Sequence, residues 1–286
     1  MDFSFWRPAL RTRMLFVNRR FFLRTLVATT MFANQSAKAL LLSGHGDVII
    51  SIYPGTGAKE IDLQLFKIYT QPMATALAST MGKKVYAEPY RSFSLIESVI
   101  SNNRTDILFV PPIVAIHAMQ YGYQPLVRVR DLATGMLVRR KGQTVTSIGI
   151  TEPDSWLGAM GQNVIAERKL ATSAMLQTVK TQDAVAFLLE QKAVQAGVLR
   201  TEKANRMIAT GEYEAWYPLP ASPDFTVLIH DKLAASYAES VRKTLLSLPA
   251  AAVDSLQKAI HVPVNQFVSC GKQDYAVLAQ AIGVKL

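Results

Sequence analysis

From Val48 onward, short apolar runs that stop at proline or glycine alternate with segments whose apolar residues recur every three or four positions. The first pattern is that of buried strands and the second that of amphipathic helices, so the alternation constrains the fold strongly. Val48-Ile49-Ile50-Ser51-Ile52-Tyr53 ends at Pro54-Gly55-Thr56-Gly57. A helical stripe of Ile61, Leu63, Leu65, Phe66, Tyr69 and Met73 follows it. Lys84-Val85-Tyr86-Ala87 and Asp106-Ile107-Leu108-Phe109-Val110 read as further strands, stopped by Glu88-Pro89-Tyr90 and Pro111-Pro112. Helices are expected from about Ser92 to Ser101, and after Pro112 through Val114, His117, Ala118 and Tyr121. An order of β-α-β-α-β-α builds a parallel sheet with helices on both faces.

A second set begins after a joint near Val127–Thr134. Strands are expected at Gly135–Arg140, Ser147–Ile150, Met175–Val179, Val194–Leu199, Tyr213–Pro220 and Phe225–His230. Helices are expected at about Leu157–Lys169 and Thr181–Gln191, and the tail from Ala234 reads as mostly helical. The chain is therefore an α/β protein of two lobes, with residues 40–130 and 131–230 as the lobes and 231–286 packing back across them. Ligands of open α/β sheets lie beyond the carboxyl ends of the strands, which directs attention to the residues after each strand.

The net charge of +10 suggests nucleic acid until its distribution is examined. Residues 1–39 hold seven cations and one anion, which leaves 24 cations against 20 anions, a net of +4, on the other 247 residues. No basic stripe interleaved with aromatics is present, so no nucleic-acid partner is expected. The leader carries its own reading. Asn18-Arg19-Arg20-Phe21-Phe22-Leu23-Arg24 is a twin arginine, followed by the apolar stretch Thr25–Ala33 and the small-x-small triplet Ala37-Lys38-Ala39. That order is similar to a twin-arginine export signal, with cleavage expected near Ala39 and a periplasmic product. Met14 would serve equally well as the start.

Post-strand segments supply the candidate site: Tyr53 and Thr56, Tyr90 and Ser92, Pro112, the run Ser155-Trp156-Leu157, and Thr181-Gln182. Several open helices directly, and the unpaired N–H groups of a helix start can hold an anion without a lysine. Asp154-Ser155 reads equally as an ordinary helix cap. Trp156 offers an aromatic face. The single cysteine, Cys270, cannot form an internal disulfide and reads as a buried structural thiol. His45, His117, His230 and His261 are scattered, and no G-x-S-x-G elbow occurs, so no cofactor, metal or catalytic group is expected.

From about Ile49 to the C-terminus the order of these segments resembles the phosphate/phosphonate/phosphite periplasmic binding protein family of ABC transporters, which has the type-2 periplasmic fold. The resemblance rests on Ser51-Ile52-Tyr53-Pro54, on Tyr90 with Asn103-Arg104-Thr105-Asp106-Ile107, and on Pro111-Pro112. It continues through Glu152-Pro153-Asp154-Ser155-Trp156-Leu157-Gly158, Lys180-Thr181-Gln182-Asp183, Gln266-Phe267 and Asp274-Tyr275. It implies a monomer whose lobes close on a small anionic ligand and which then meets a transporter permease or a membrane sensor. It also implies that Tyr53 and Tyr90 point phenolic groups at the ligand, that Ser155 with the Trp156 and Leu157 N–H groups holds the oxyanion, and that Thr181 and Gln182 add hydrogen bonds. The chain departs from the family in reading Asp154-Ser155-Trp156 where a serine-threonine-serine run is usual, and Gln182 where histidine is usual. Asp154 would repel an anion if it faced the pocket. With no acidic residue in Val194-Gln195-Ala196-Gly197, an aminated phosphonate is disfavoured, and an alkylsulfonate stands as the alternative ligand.

Overall fold

The computed structural model describes residues 47–56, 61–170, 172 and 175–286. The leader, the twin arginine and the expected cleavage near Ala39 lie outside the described residues. Asp47–Leu286 forms one compact unit containing two mixed sheets, and each sheet forms the centre of a lobe.

In the first lobe, β1 (Val48–Ile52), β2 (Val85–Pro89) and β3 (Ile107–Val110) run parallel, linked through α1 (Leu63–Met81) and α2 (Phe93–Ser101). Then α3 (Pro112–Gln120) leads into β4 (Tyr123–Val129). Helix α1 starts where the Asp62 carboxylate accepts from the N–H groups of Gln64 and Leu65, at 2.8 and 3.0 Å. It ends at Gly82 in the left-handed conformation. Its buried stripe, including Phe66, Met73 and Leu77, packs on the sheet.

The chain then builds the second lobe from β5 (Gly135–Arg140), β6 (Ile148–Thr151), α4 (Trp156–Glu167) and β7 (Leu176–Val179). The lobe continues with α5 (Gln182–Glu190), β8 (Ala196–Arg200), α6 (Thr201–Ala209) and β9 (Tyr213–Pro218). The strand order is β7-β6-β8-β5-β9, with β7, β6 and β8 parallel and β5 antiparallel to both of its neighbours. Arg140 ties this lobe together from a buried position at the end of β5. Its guanidinium donates to the Leu189 carbonyl at 2.8 Å and to the Tyr213 hydroxyl at 2.9 Å.

The strand at Thr226–His230 (β10), grouped by sequence with the second lobe, pairs in the first sheet, whose order, counting the late strand Phe267–Ser269 as β11, is β11-β4-β10-β3-β1-β2. It runs antiparallel to β3 and β4 because the chain is returning from the second lobe, so the expected all-parallel sheet is mixed. Two segments cross between the lobes side by side, where Ala133 and Ser222 exchange N–H···O bonds of 2.9 and 3.2 Å. Helices α7 (Asp231–Leu246) and α8 (Ala250–Ile260) pack on α1. β11 (Phe267–Ser269) borders β4, and after the 3-10 turn Lys272–Tyr275 the last helix, α9 (Ala276–Ala281), reaches across to α4. The tail thus touches both lobes.

Candidate functional site

A cleft of about 520 Å³ lies where the strand ends of the two lobes face each other. Its first-lobe wall is built from Pro54, Gly55 and Thr56 after β1, Pro111 after β3, and Asp131 and Leu132 before the crossing. Gly55 adopts φ +99°, a conformation open to glycine, and the resulting turn brings Thr56 to the second lobe. The second-lobe wall is the starts of α4, α5 and α6, including Asp154, Ser155, Trp156, Leu157, Thr181 and Gln182. Asp183, Arg200, Thr201 and Glu202 continue this wall, and His261 and Asp224 border it.

Helix α4 is set close against the turn before it. A Cβ on Gly158 would sit 2.0 Å from the Glu152 carbonyl oxygen, so glycine is required for that approach. The Ser155 hydroxyl donates to the same carbonyl at 2.7 Å. It therefore accepts from Thr151 at 2.7 Å and from the Gly158 N–H at 3.0 Å. The hydroxyl has no proton left to offer a ligand. The N–H groups of Trp156 and Leu157 find no acceptor among the described residues, and they open a helix whose first turn carries no acid. This is the arrangement that favours an anion. On α5 the Thr181 oxygen accepts from the Ala184 N–H at 3.1 Å, which leaves the Thr181 proton free. The Gln182 carbonyl oxygen accepts from the Arg200 N–H at 3.3 Å, which leaves its amide NH2 group free.

The lobes touch through Asp154. Thr56 donates to Asp154 Oδ2 at 2.8 Å, and the Tyr53 hydroxyl lies 2.9 Å from the Thr56 oxygen. Because Thr56 has spent its proton on the carboxylate, Tyr53 is the donor. Tyr53 is buried, and its phenol is pushed above its ordinary range by burial first and by the charges of Asp154 and Glu152 as well. Asp154 Oδ1 is shielded from solvent and has no hydrogen-bond partner.

Trp156 forms part of the floor. Its indole donates to Ser222 at 2.7 Å, and the Arg200 guanidinium covers its face at 4.6 Å from the ring centroid. The face expected to be open to a ligand is therefore already occupied by a cation. Arg200 in turn makes bonds of 2.9 and 3.4 Å to the two carboxylate oxygens of Asp224.

The residues expected from sequence fall into three groups. Thr56, Ser155, Trp156, Leu157, Thr181 and Gln182 line the cleft. Tyr53 lies behind it and acts through Thr56. Tyr90 bonds Glu88 at 3.2 Å, Ser92 caps α2 through the Leu95 N–H, and Pro112 is buried at the start of α3; none of the three is on the cleft wall. Asp131, Arg200, Asp224 and His261 are not marked in the sequence, because they sit on strand ends, crossings and, for His261, the end of α8, with no local motif. Among the described residues no cluster of His, Cys, Asp and Glu could hold a metal ion.

The fold has well-populated company. PhnD1 of Prochlorococcus marinus in complex with methylphosphonate superposes with a TM-score of 0.60 at 10% identity, covering 83% of this chain and 98% of that one. A Xanthomonas citri protein bound to ATP gives a TM-score of 0.64 at 10% identity, covering 83% and 96%. The periplasmic aliphatic sulphonate binding protein SsuA of Escherichia coli gives 0.56 at 10% identity, covering 83% and 86%. At such identities the likeness establishes the two-lobed fold alone. No curated protein sequence matches the chain. The family model described as the phosphonate periplasmic substrate-binding protein of ABC transporters matches residues 66–275, well over half of the chain, and the protein belongs to that family.

Proposed function

We propose that this protein captures a small phosphorus oxyanion of the phosphonate, phosphate or phosphite type between its lobes and presents it to an ABC transporter, without turning it over. The observation that carries this reading is the pair of unpartnered N–H groups of Trp156 and Leu157, at the start of a twelve-residue helix that opens on the cleft. Thr181 and Gln182 supply side-chain donors beside them, and Arg200 supplies a held positive charge. Such charge-assisted bonds contribute roughly 1.5–3 kcal/mol each once the closing lobes exclude water. Export through the twin-arginine leader, with cleavage near Ala39, completes the reading with a periplasmic product, which acts as a monomer.

A thermal-shift screen tests it. The protein is melted with phosphate, phosphite, methylphosphonate, sulfate and small alkylsulfonates, each in excess. A ligand at about 100 times its dissociation constant adds roughly 2.7 kcal/mol of stability. A rise with at least one phosphorus oxyanion is expected, and no rise with any of them would defeat the reading.

A further inference from the structure

We propose that Asp154 reads a proton on the ligand: the cleft takes a monoprotonated phosphorus oxyanion whose P–OH group donates to the Asp154 carboxylate, and it refuses a fully ionised sulfonate of the same shape. This inference rests on the reading of the cleft given above and narrows it to one protonation state.

In the closed arrangement Thr56 supplies a donor to Oδ2, whereas Oδ1 is out of contact with water and has no donor. A buried acceptor without a donor is unfavourable, and more so when it is charged. Two residues further on, the Trp156 and Leu157 N–H groups lack acceptors. The same corner of the cleft therefore asks a ligand for both acceptor oxygens and one donor. A tetrahedral anion with one protonated oxygen offers both within a single group. Because Oδ1 is shielded from solvent in the arrangement where Thr56 meets Asp154, a ligand donor has to be in place as that contact forms, and the carboxylate then couples the contact to the right ligand. A sulfonate brings three acceptors and no proton, which sets oxygen against oxygen at Oδ1.

The surrounding charges act in the same direction. Tyr53 reaches Asp154 through Thr56 and feels the charges of both Asp154 and Glu152, and Lys180 with Asp183 opens α5. Arg200 with Glu202 opens α6, while Asp131, Asp224 and His261 stand on the opposite side of the cleft. Acids outnumber cations along this wall, and Arg200 is already paired with Asp224. A dianion is disfavoured there relative to a monoanion. A phosphoryl group loses its second proton only near about pH 6, so the monoanion is a substantial species close to neutrality.

The test is calorimetric titration of the full-length protein with methylphosphonate, methanesulfonate and 2-aminoethylphosphonate, from about pH 5.5 to about pH 8.5, across the second ionisation of the phosphoryl group. Native protein should bind methylphosphonate at least about 100-fold more tightly than methanesulfonate, as sites built around a ligand hydroxyl do. Its affinity should fall about tenfold per pH unit above the ligand's own second ionisation. The fall should persist in His261→Asn, which removes the imidazole that borders the cleft. Asp154→Asn, whose amide can donate to a sulfonate oxygen, should bring the two ligands within about tenfold of one another. Equal binding of methanesulfonate by native protein, or affinity that does not fall with pH, would overturn the inference while leaving the oxyanion reading intact. Binding confined to 2-aminoethylphosphonate would assign Asp154 to an ammonium group and overturn it as well. If none of the three binds, the inference fails, and phosphate and phosphite in the thermal-shift screen decide whether the oxyanion reading fails with it. Should Asp154→Asn not fold, the native selectivity and pH profile still decide.

Discussion

Replacing Gly158 with alanine tests the geometry on which the anion site depends, because local propensity and tertiary packing predict opposite signs. Alanine is the better helix former by about 1 kcal/mol, so a Gly→Ala change at an unconstrained helical position stabilises. At Gly158 the added Cβ would sit 2.0 Å from the Glu152 carbonyl oxygen, 2.6 Å from its carbon and 2.6 Å from the Thr151 oxygen. Ordinary contact needs about 3.5 Å, so rigid backbone must retreat by about 1.5 Å. Overpacking of this kind costs about 3 kcal/mol at the upper end of the usual range, which leaves a net loss of about 2 kcal/mol. The carbonyl that must move also holds Ser155, so the start of α4 is displaced together with its free N–H groups. Urea denaturation should show the lower midpoint with an unchanged slope, and the melting temperature should fall by about 4–8 °C. Oxyanion binding should weaken in parallel. A Gly158→Ala protein as stable as the native one, or more stable, would refute the close approach and with it the placement of the anion site.

Three other perturbations probe separate parts of the molecule. Thr56→Val removes the bond from the first lobe to Asp154 and should weaken closure by about 1 kcal/mol, the ordinary net value of a hydrogen bond. Small-angle scattering should then show a larger radius of gyration without ligand, and an unchanged curve would contradict the bridge. Arg140→Met leaves the Leu189 carbonyl and the Tyr213 hydroxyl without their buried donor and should cost about 2–4 kcal/mol by chemical denaturation. A loss below measurement would show that the second lobe does not depend on it. Burial pushes the Cys270 thiol up to about 11, against a smaller opposing effect of its hydrogen bond with Tyr275. The thiolate is therefore scarce at about pH 8, and a maleimide or disulfide reagent should label Cys270 only after unfolding. The sign is that of an acid held neutral by folding: the thiol leaves stability unchanged below its ordinary value of 9.0 and reduces it as pH rises from there toward 11.

The parts of the fold legible in the sequence are those in which a strand is apolar on both faces. β1 and β3 are buried along nearly their whole length and stop at proline, so Val48–Ile52 and Ile107–Val110 are marked by composition alone. β4 was not expected as a strand because Gln124, Pro125 and Arg128 interrupt its apolar run. It is held by β10 on one side and β11 on the other, with a register shift between Val227 and Leu228 where Pro125 sits. α6 is hard to read from sequence because Thr-Glu-Lys-Ala-Asn-Arg-Met-Ile-Ala is polar overall and its apolar stripe is only Ala204, Met207 and Ile208. β10 was found as a strand but assigned to the second lobe, since nothing local says which sheet a returning strand joins.

At the site, the helix starts of α4 and α5 were legible from Ser155 and Thr181, which cap them. The roles within those starts were not. Ser155 spends its proton on the Glu152 carbonyl, Tyr90 turns to Glu88, and Tyr53 acts through Thr56. Sequence names the candidate donors, but only the packing shows where each proton goes. Asp154, flagged as unfavourable to an anion if it faced the pocket, lines the cleft and joins the lobes.

The most direct test of the central claim is a crystal structure of the protein with methylphosphonate. The account predicts phosphonate density between the lobes, with oxygens about 2.7–3.1 Å from the backbone nitrogens of Trp156 and Leu157 and a further oxygen at Asp154. Density elsewhere, such as the exposed face formed by Arg139 and Trp216, or closed lobes with no ligand at the start of α4, would contradict it.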